Sequence, residues 1–422
     1  MLNPVIKYSY ADIKIIPAIL SNVEHRGSCN VYDEYGNLPI FTAPMSSVVN
    51  TENMHYFIEH KITPILPRNI DINTRISKMN EQKWVALSLN EFEDLFITNS
   101  KDRIAGNHYY ICVDLANGHM KNLLETCIEA KNNATYYGYE LIIMTGNIGN
   151  PKTYIEYCKA GIDYIRCSIG TGSGCITTPQ TGIHYPIASL IAEIREIKEQ
   201  IKDYPSIKTH AKIIADGGVK NYDDVVKAIA LGADYVMIGG LFSQLIESAG
   251  EKYDENNNKF DINMFKSLRI ENEEIVYGYY NDNGLNKKLL ELEEQKNTGY
   301  YSQHLGYYGN TEEINEFINL LYENEYSNLK NGQEQYIGKL NVKFFGMASA
   351  DGQKSISGEK TKTSEGITKY IPVKYTLNKW TENMISYLQS TMSYCDSFDY
   401  KELYYKAECI IISENTYNSI NK

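Results

Sequence analysis

The stretch "IIADGGVKNYDDVVKAIALGADYVMIGG", residues 213–240, holds the fold in miniature. It opens on a short apolar run that ends at Asp216 and the pair Gly217–Gly218. A segment with apolar residues at helical spacing follows, "NYDDVVKAIALG", beginning at an Asn and stopping at a Gly, as helix caps do. A second apolar run, "YVMI", ends on Gly239–Gly240. Continuous apolar strands separated by amphipathic helices define a parallel sheet covered by helices.

The same alternation extends toward the N-terminus. Strand-like runs stand at "PIFTAP" (39–44), "TPIL" (63–66), "WVALS" (84–88), "YYICVD" (109–114), "ELIIMTG" (140–146) and "DYIRCS" (163–168). Each is too short for a buried helix and is bounded by turn residues. Helical patterns such as "NTENMHYFIEH", "GHMKNLLETCIEAKNN", "NPKTYIEYCKAG" and "PIASLIAEIREIKEQIK" lie between them. Eight such units before residue 250 predict an α/β fold, a closed (β/α)8 TIM barrel. A doubly wound open sheet is the runner-up. It would place a Gly-rich phosphate turn after its first strand, and "FTAPMSS" is not one.

The barrel is expected over 1–254 and 341–378. Residues 255–340, rich in Asn, Glu, Lys and Tyr, read as an inserted subdomain, and 379–422 as a C-terminal helical tail. The 422 residues carry a formal net charge of −12, which argues against a nucleic-acid or anionic-membrane partner. No apolar run approaches the roughly 20 residues of a membrane span, and the N-terminal segment does not read as a signal peptide. A cytoplasmic protein is therefore expected. The eight cysteines include no CxxC pair, so most read as reduced and buried.

In such barrels the chemistry sits where strands end and loops begin. The residues at those places are Ser46, Asn69, Asp114, Asn117, Gly146, Asn147, the loop "SIGTGSGCITTPQTG" (168–182), Asp216–Gly218 and Gly239–Gly240. The Gly pairs after the seventh and eighth strands read as a phosphate cradle, with plain tight turns as the alternative. Cys175, set among Gly170, Gly172 and Gly174, is the candidate nucleophile, against an inert loop cysteine. Thr177 stands two residues on, able to bring a hydroxyl to the same centre. The glycine-borne carbonyls also suit a monovalent cation.

"SIGTGSGCITT", with its GxGxxCxT pattern, resembles the cysteine loop of the IMP dehydrogenase and GMP reductase family. "IIADGGVKNYDDVVKAIALGADYVMIGGLF" resembles its phosphate-binding segment, "FTAPMSSV" its first barrel loop, and "FFGMAS" its purine-binding turn. The resemblance covers roughly 5–254 and 341–378 and places four motifs in order. It implies that Cys175 attacks C2 of a purine nucleotide. It implies that Ser173, Asp216, Gly217, Gly218, Gly239 and Gly240 hold ribose and phosphate, with Gly346, Met347 and Ser349 near the base. The carbonyls of Gly170, Gly172 and Cys175 match the family's potassium ligands.

The family runs two reactions. The dehydrogenase oxidises IMP with NAD, and the reductase converts GMP and NADPH to IMP and ammonia. Three features resemble the reductase more closely. Residues 67–83 leave no room for the paired CBS modules usual in the dehydrogenase. No arginine follows Arg269, so the dehydrogenase's water-activating arginine–tyrosine pair has no counterpart in "ADGQKSISGEKTKTSEG". "DLANGH" (114–119) and "MTGNI" resemble reductase strand ends. On this resemblance Glu365 of "SEG" works with Thr177 on the leaving amine, with Lys362 and Gly366 beside it. Asp114 and Asn117 meet the nicotinamide side. Arg26 and Arg68 are cofactor-binding candidates, each equally readable as a surface charge. A homotetramer that binds a monovalent cation, K+, is implied by the same analogy. Departures from the family pattern are Thr178 and Lys362 at arginine positions, Phe344 at a tyrosine position, and "APMSS" without its acidic residue. The alternatives are an IMP dehydrogenase and a purine-nucleotide-binding barrel without turnover.

Overall fold

The computed structural model describes residues 5–98, 107–172, 176–254, 256–260, 268–271, 274–277, 335–358, 363–364 and 366–420. The chain divides into two compact units, one of residues 1–251, 342–371 and 375–422, the other of 252–341 and 372–374.

The first unit is built on eight parallel strands: β1 Ile40–Thr42, β2 Ile65–Leu66, β3 Trp84–Leu87, β4 His108–Asp114, β5 Glu140–Ile148, β6 Tyr164–Cys167, β7 Lys212–Asp216 and β8 Tyr235–Ile238. Neighbours pair in chain order from β2 to β8, and β8 pairs with β1. The ring closes between β1 and the approach to β2, where Thr42 N donates to Thr63 O at 3.0 Å and Thr63 N to Ile40 O at 3.0 Å. Every strand expected from the sequence is present, and the closed barrel is the architecture.

The first helix of the barrel is α1 (Met54–Glu59), and side chains cap the next two. Asp71 caps α2 (Ile72–Asn80) by accepting from Asn73 N and Thr74 N. Ser88 and Glu91 form a capping box at α3 (Leu89–Glu93). The helices α4 (Lys121–Tyr137), α5 (Thr153–Ala160), α6 (Thr177–Thr181), α7 (Ile187–Gln200) and α8 (Tyr222–Ala230) complete the run. Only α2 separates β2 from β3, so the sequence between these strands is spent on one helix.

A repeated device ties helix to strand. In "GIDY" (161–164), Asp163 accepts from Ile143 N at 2.7 Å and Lys131 Nζ at 2.6 Å. In "GADY" (232–235), Asp234 accepts from Ile213 N at 2.7 Å and Lys198 Nζ at 2.8 Å. Each Asp precedes a strand, holds the neighbouring strand's backbone and neutralises a helix lysine.

Alternate strand residues face inward and outward. Ile165, Ile213 and Val236 pack outward against the helices. Inside, Phe41, Trp84, Tyr164 and Tyr235 form an aromatic plug, with Phe41 between 5.1 and 5.9 Å from each of the others. Cys112, Met144, Ile214 and Met237 extend this inner core.

After β8 the last covering helix comes from the C-terminal segment. It is α10 (Leu377–Tyr394), after α9 (Ala350–Ser357), and it buries Leu377, Trp380, Met384, Leu388 and Met392. Trp380 stacks on Tyr222 at 5.5 Å and meets Phe242 edge-on at 4.7 Å. The segment read as a tail thus supplies core. Farther on, Glu408–Ile411 pairs antiparallel with Ile13–Ile16. No helix among the described residues is long and apolar enough to cross a membrane.

In the second unit, Lys252–Tyr253 and Lys259–Phe260 form a hairpin. Leu268–Glu271, Glu274–Tyr277 and Gln335–Gly338 form an antiparallel three-stranded sheet.

Candidate active site at the carboxyl ends of the strands

A cavity of about 220 Å³ opens over the carboxyl ends of the barrel strands. Its walls come from Met45, the Asp216–Val219 turn, Gly239–Gly240 and the 344–348 turn. Of the residues singled out in the sequence, Asp114, Gly172, Asp216, Gly217, Gly218, Gly239, Gly240, Gly346, Met347 and Gly366 line it. Segments more than 300 residues apart meet here: Ser46 Oγ lies 3.9 Å from Met347 Sδ.

Four charged side chains alternate around the rim. Arg68 Nε donates to Asp114 Oδ2 at 3.1 Å. Arg166 NH1 donates to Asp114 Oδ1 at 2.7 Å, and its Nε to Asp216 Oδ2 at 2.9 Å. Asn147 Nδ2 donates to the same Asp216 oxygen at 2.6 Å and to Ser168 Oγ at 3.1 Å. The network therefore draws on the ends of β2, β4, β5, β6 and β7. Burial pushes the Asp114 carboxyl up, but the charges of Arg166 and Arg68 outweigh it and hold Asp114 below the ordinary carboxylate range. Burial alone would lower the Arg166 guanidinium, and the charges of Asp216 and Asp114 overcome that, so it stays charged. Cys112, beneath the network and 3.6 Å from Arg166 NH1, is pushed up to about 12 by burial and is an inert thiol.

Arg166 was not among the candidates from the sequence, although the signal was there. It is a charged residue within an apolar strand, in step with inward-facing Tyr164 and out of step with Ile165 and Cys167. Asn147 was noted only as a strand-end residue.

The other candidates fall as follows. Ser173, Cys175, Lys362 and Glu365 lie outside the described residues. Thr177 begins α6. The Gly170 carbonyl accepts from Thr178 Oγ1 at 3.3 Å. Ser349 is buried and caps α9, its Oγ accepting from Gly352 N at 3.0 Å. Asn117 is exposed and its Oδ1 accepts from His119 N at 2.9 Å. Arg26 is exposed on the 26–28 turn and does not line the cavity. Asn69 Oδ1, beside Arg68, is buried and without a hydrogen-bond partner among the described residues.

A closed (β/α)8 barrel with glycine turns after β7 and β8 and a cavity above the carboxyl ends of its strands has the architecture of a barrel enzyme. The family model described as the IMP dehydrogenase / GMP reductase domain matches residues 37–273, more than half of the 422, and the chain belongs to this family. Among curated relatives, a GMP reductase of Oceanobacillus iheyensis is 30% identical over 265 residues, covering 60% of this chain and 75% of that protein. One from Helicobacter pylori is 30% identical over 263 residues, covering 59% and 74%. One from Streptococcus agalactiae is 27% identical over 281 residues, covering 62% and 77%. Members of the family are oxidoreductases that act on purine nucleotides with NAD(P).

Proposed function

We propose that this protein is a GMP reductase that converts GMP, NADPH and two protons to IMP, NADP+ and ammonium. The observation that carries the reading is the cavity. It joins the Asp216–Gly218 turn, Gly239–Gly240 and the Gly346–Met347 turn in one wall, next to the loop that bears Cys175. Likeness to relatives named GMP reductase supports it.

The phosphate rests on the backbone N–H groups of Gly218, Gly239 and Gly240, and the ribose hydroxyls on Asp216. Met347 and Met45 pack beside the base. The thiolate of Cys175 adds to C2 of the guanine ring. Thr177 and Glu365 carry a proton to the exocyclic amine, which leaves as ammonia. Bound NADPH supplies the hydride that C2 then takes, and the C–S bond breaks to release IMP with its electron pair returning to the sulfur.

The residues present fit a nicotinamide. The buried Oδ1 of Asn69, unpartnered among the described residues, is an acceptor of the kind a carboxamide N–H fills, and the adjacent Arg68 is bonded to Asp114. Both Asp114 oxygens already accept from guanidinium groups, so Asp114 acts on that side by fixing Arg68 and Arg166. In this reading the carbonyls of Gly170, Gly172 and Cys175 would hold the cation, and oxygen ligands suit a hard monovalent ion. The Gly170 carbonyl, engaged by Thr178, keeps a second lone pair. The active protein is a homotetramer in this reading.

The test is to supply GMP with NADPH, and separately IMP with NAD, and to follow nicotinamide absorbance and ammonia together. Oxidation of NADPH with matching ammonia from GMP is the expected result. NADH formation from IMP would reverse the direction, and silence in both would leave a nucleotide-binding barrel without turnover.

A further inference from the structure

Among the described residues, Arg166 is the one side chain in the cavity wall that bonds both carboxylates of the rim. We infer that Arg166 is a positioning residue that clamps Asp114 and Asp216 in fixed orientations, and thereby sets how well the site selects a ribose hydroxyl. The inference rests on the reading that a purine ribonucleotide occupies this cavity with its sugar on Asp216.

The geometry needs a guanidinium. Nε and NH1 lie on adjacent corners of a rigid plane, and each meets a carboxylate from a different strand, at 2.9 and 2.7 Å. A lysine ammonium carries the same charge but presents a point, so it serves one carboxylate well and leaves the other. The Arg166 side chain is only 9% exposed and both carboxylate side chains 13%, so water does not replace a lost contact cheaply.

Asp216 shows why the clamp affects selectivity. Its Oδ2 takes Arg166 and Asn147 together. Among the described residues, no hydrogen bond reaches Oδ1. One oxygen is anchored twice, and the other is held in a fixed direction for a ligand hydroxyl. Without the Arg166 contact, Asp216 keeps only Asn147 and the carboxylate is free to turn.

Charge gives the second consequence. The groups facing the two carboxylates are Arg68 from the end of β2, Arg166 and Cys167 from β6, Cys112 from β4 and Asn147 from β5. Cys112 and Cys167 are both raised by burial and stay neutral. Removing Arg166 takes away the larger of the two charges that hold the Asp114 carboxyl down and leaves it Arg68, so Asp114 then holds a proton at a higher pH.

The experiment measures binding by calorimetry in the full chain, for GMP and for 2′-deoxy-GMP, between about pH 5 and pH 8. The proteins are wild type, Arg166→Lys and Arg166→Gln, each first checked for folding by circular dichroism. The wild type is expected to prefer the ribonucleotide and to hold its affinity through this range. In Arg166→Lys, GMP affinity falls at least about tenfold, as for a lost charged hydrogen bond, and the preference over the deoxynucleotide shrinks toward one. In Arg166→Gln the loss is larger at pH 5 than at pH 8. If the Gln variant does not fold, the Lys variant and its nucleotide ratio decide the matter. A purely structural role lowers thermal stability and leaves both the ratio and the pH profile in place, and that result overturns the inference. If the wild type binds and both variants match it, this inference alone fails. If the wild type binds neither nucleotide, the proposed function fails and takes this inference with it.

Discussion

Replacing Gly217 with Ala probes the link between the glycine turn after β7 and the loop at Thr171. Gly217 has φ +109°, where an L-residue is strained, at a cost of about 1–2 kcal/mol. A Cβ built there would stand 2.6 Å from Thr171 Oγ1, so the Thr171 side chain or the turn must move. Overpacking of this kind costs about 1–3 kcal/mol. Together Gly217→Ala is expected to destabilise by about 2–5 kcal/mol. It should also weaken GMP binding, because the displaced turn carries Gly218. Gly36 supplies the control. Its φ is +77° and nothing lies within 4 Å of a Cβ there, so Gly36→Ala bears the backbone cost without the clash. Thr171→Ala in the Gly217→Ala background should recover the clash portion only. The Thr171 hydroxyl is itself buried and without a partner among the described residues, so Thr171→Ala alone should be close to neutral. Urea denaturation gives the four stabilities and calorimetry the GMP affinities. Equal losses at Gly36 and Gly217, or complete recovery on Thr171→Ala, would refute this division of the cost.

Other outcomes follow from the same structure. Trp380→Ala should destabilise by about 3–5 kcal/mol, because α10 anchors on the barrel through its stacked and edge-on ring contacts; a near-neutral result by denaturation would mean that the helix is dispensable. Asp114 has its carboxyl held below the ordinary value of 3.8, so its contribution to stability is complete above that pH and is lost as pH falls through the lower, folded value. Asp114→Asn should therefore flatten the decline in the urea midpoint below about pH 4, and an unchanged slope would contradict that origin. Glu365→Gln is expected to slow ammonia release more than hydride transfer in single-turnover traces, and equal slowing would remove its assigned part in handling the amine.

The barrel was legible because its signal repeats. Each strand is a short apolar run bounded by Pro, Asp, Gly or Ser, and several helices begin or end at capping residues. The Asp163 and Asp234 ties sit at matching places in "GIDY" and "GADY", but only coordinates show that each holds a lysine and a neighbouring strand together. The cavity glycines were legible from their place after the last two strands. Arg166 was not, because reading "DYIRCS" as a buried strand hides its one charged residue, and its partners lie 52 and 50 positions away. The place of α10 was equally hidden. Periodicity shows an apolar face on residues 377–394 but not that Tyr222 and Phe242 receive it.

The most direct measurement is of the sulfur itself. Wild-type protein turning over GMP with NADPH is quenched in acid, digested, and its peptides are weighed. The account predicts a purine nucleotide on the peptide that carries Cys175, absent in Cys175→Ser, which should still bind GMP and release no ammonia. Sustained turnover by Cys175→Ser, or turnover with no modified peptide at any quench time, would contradict it.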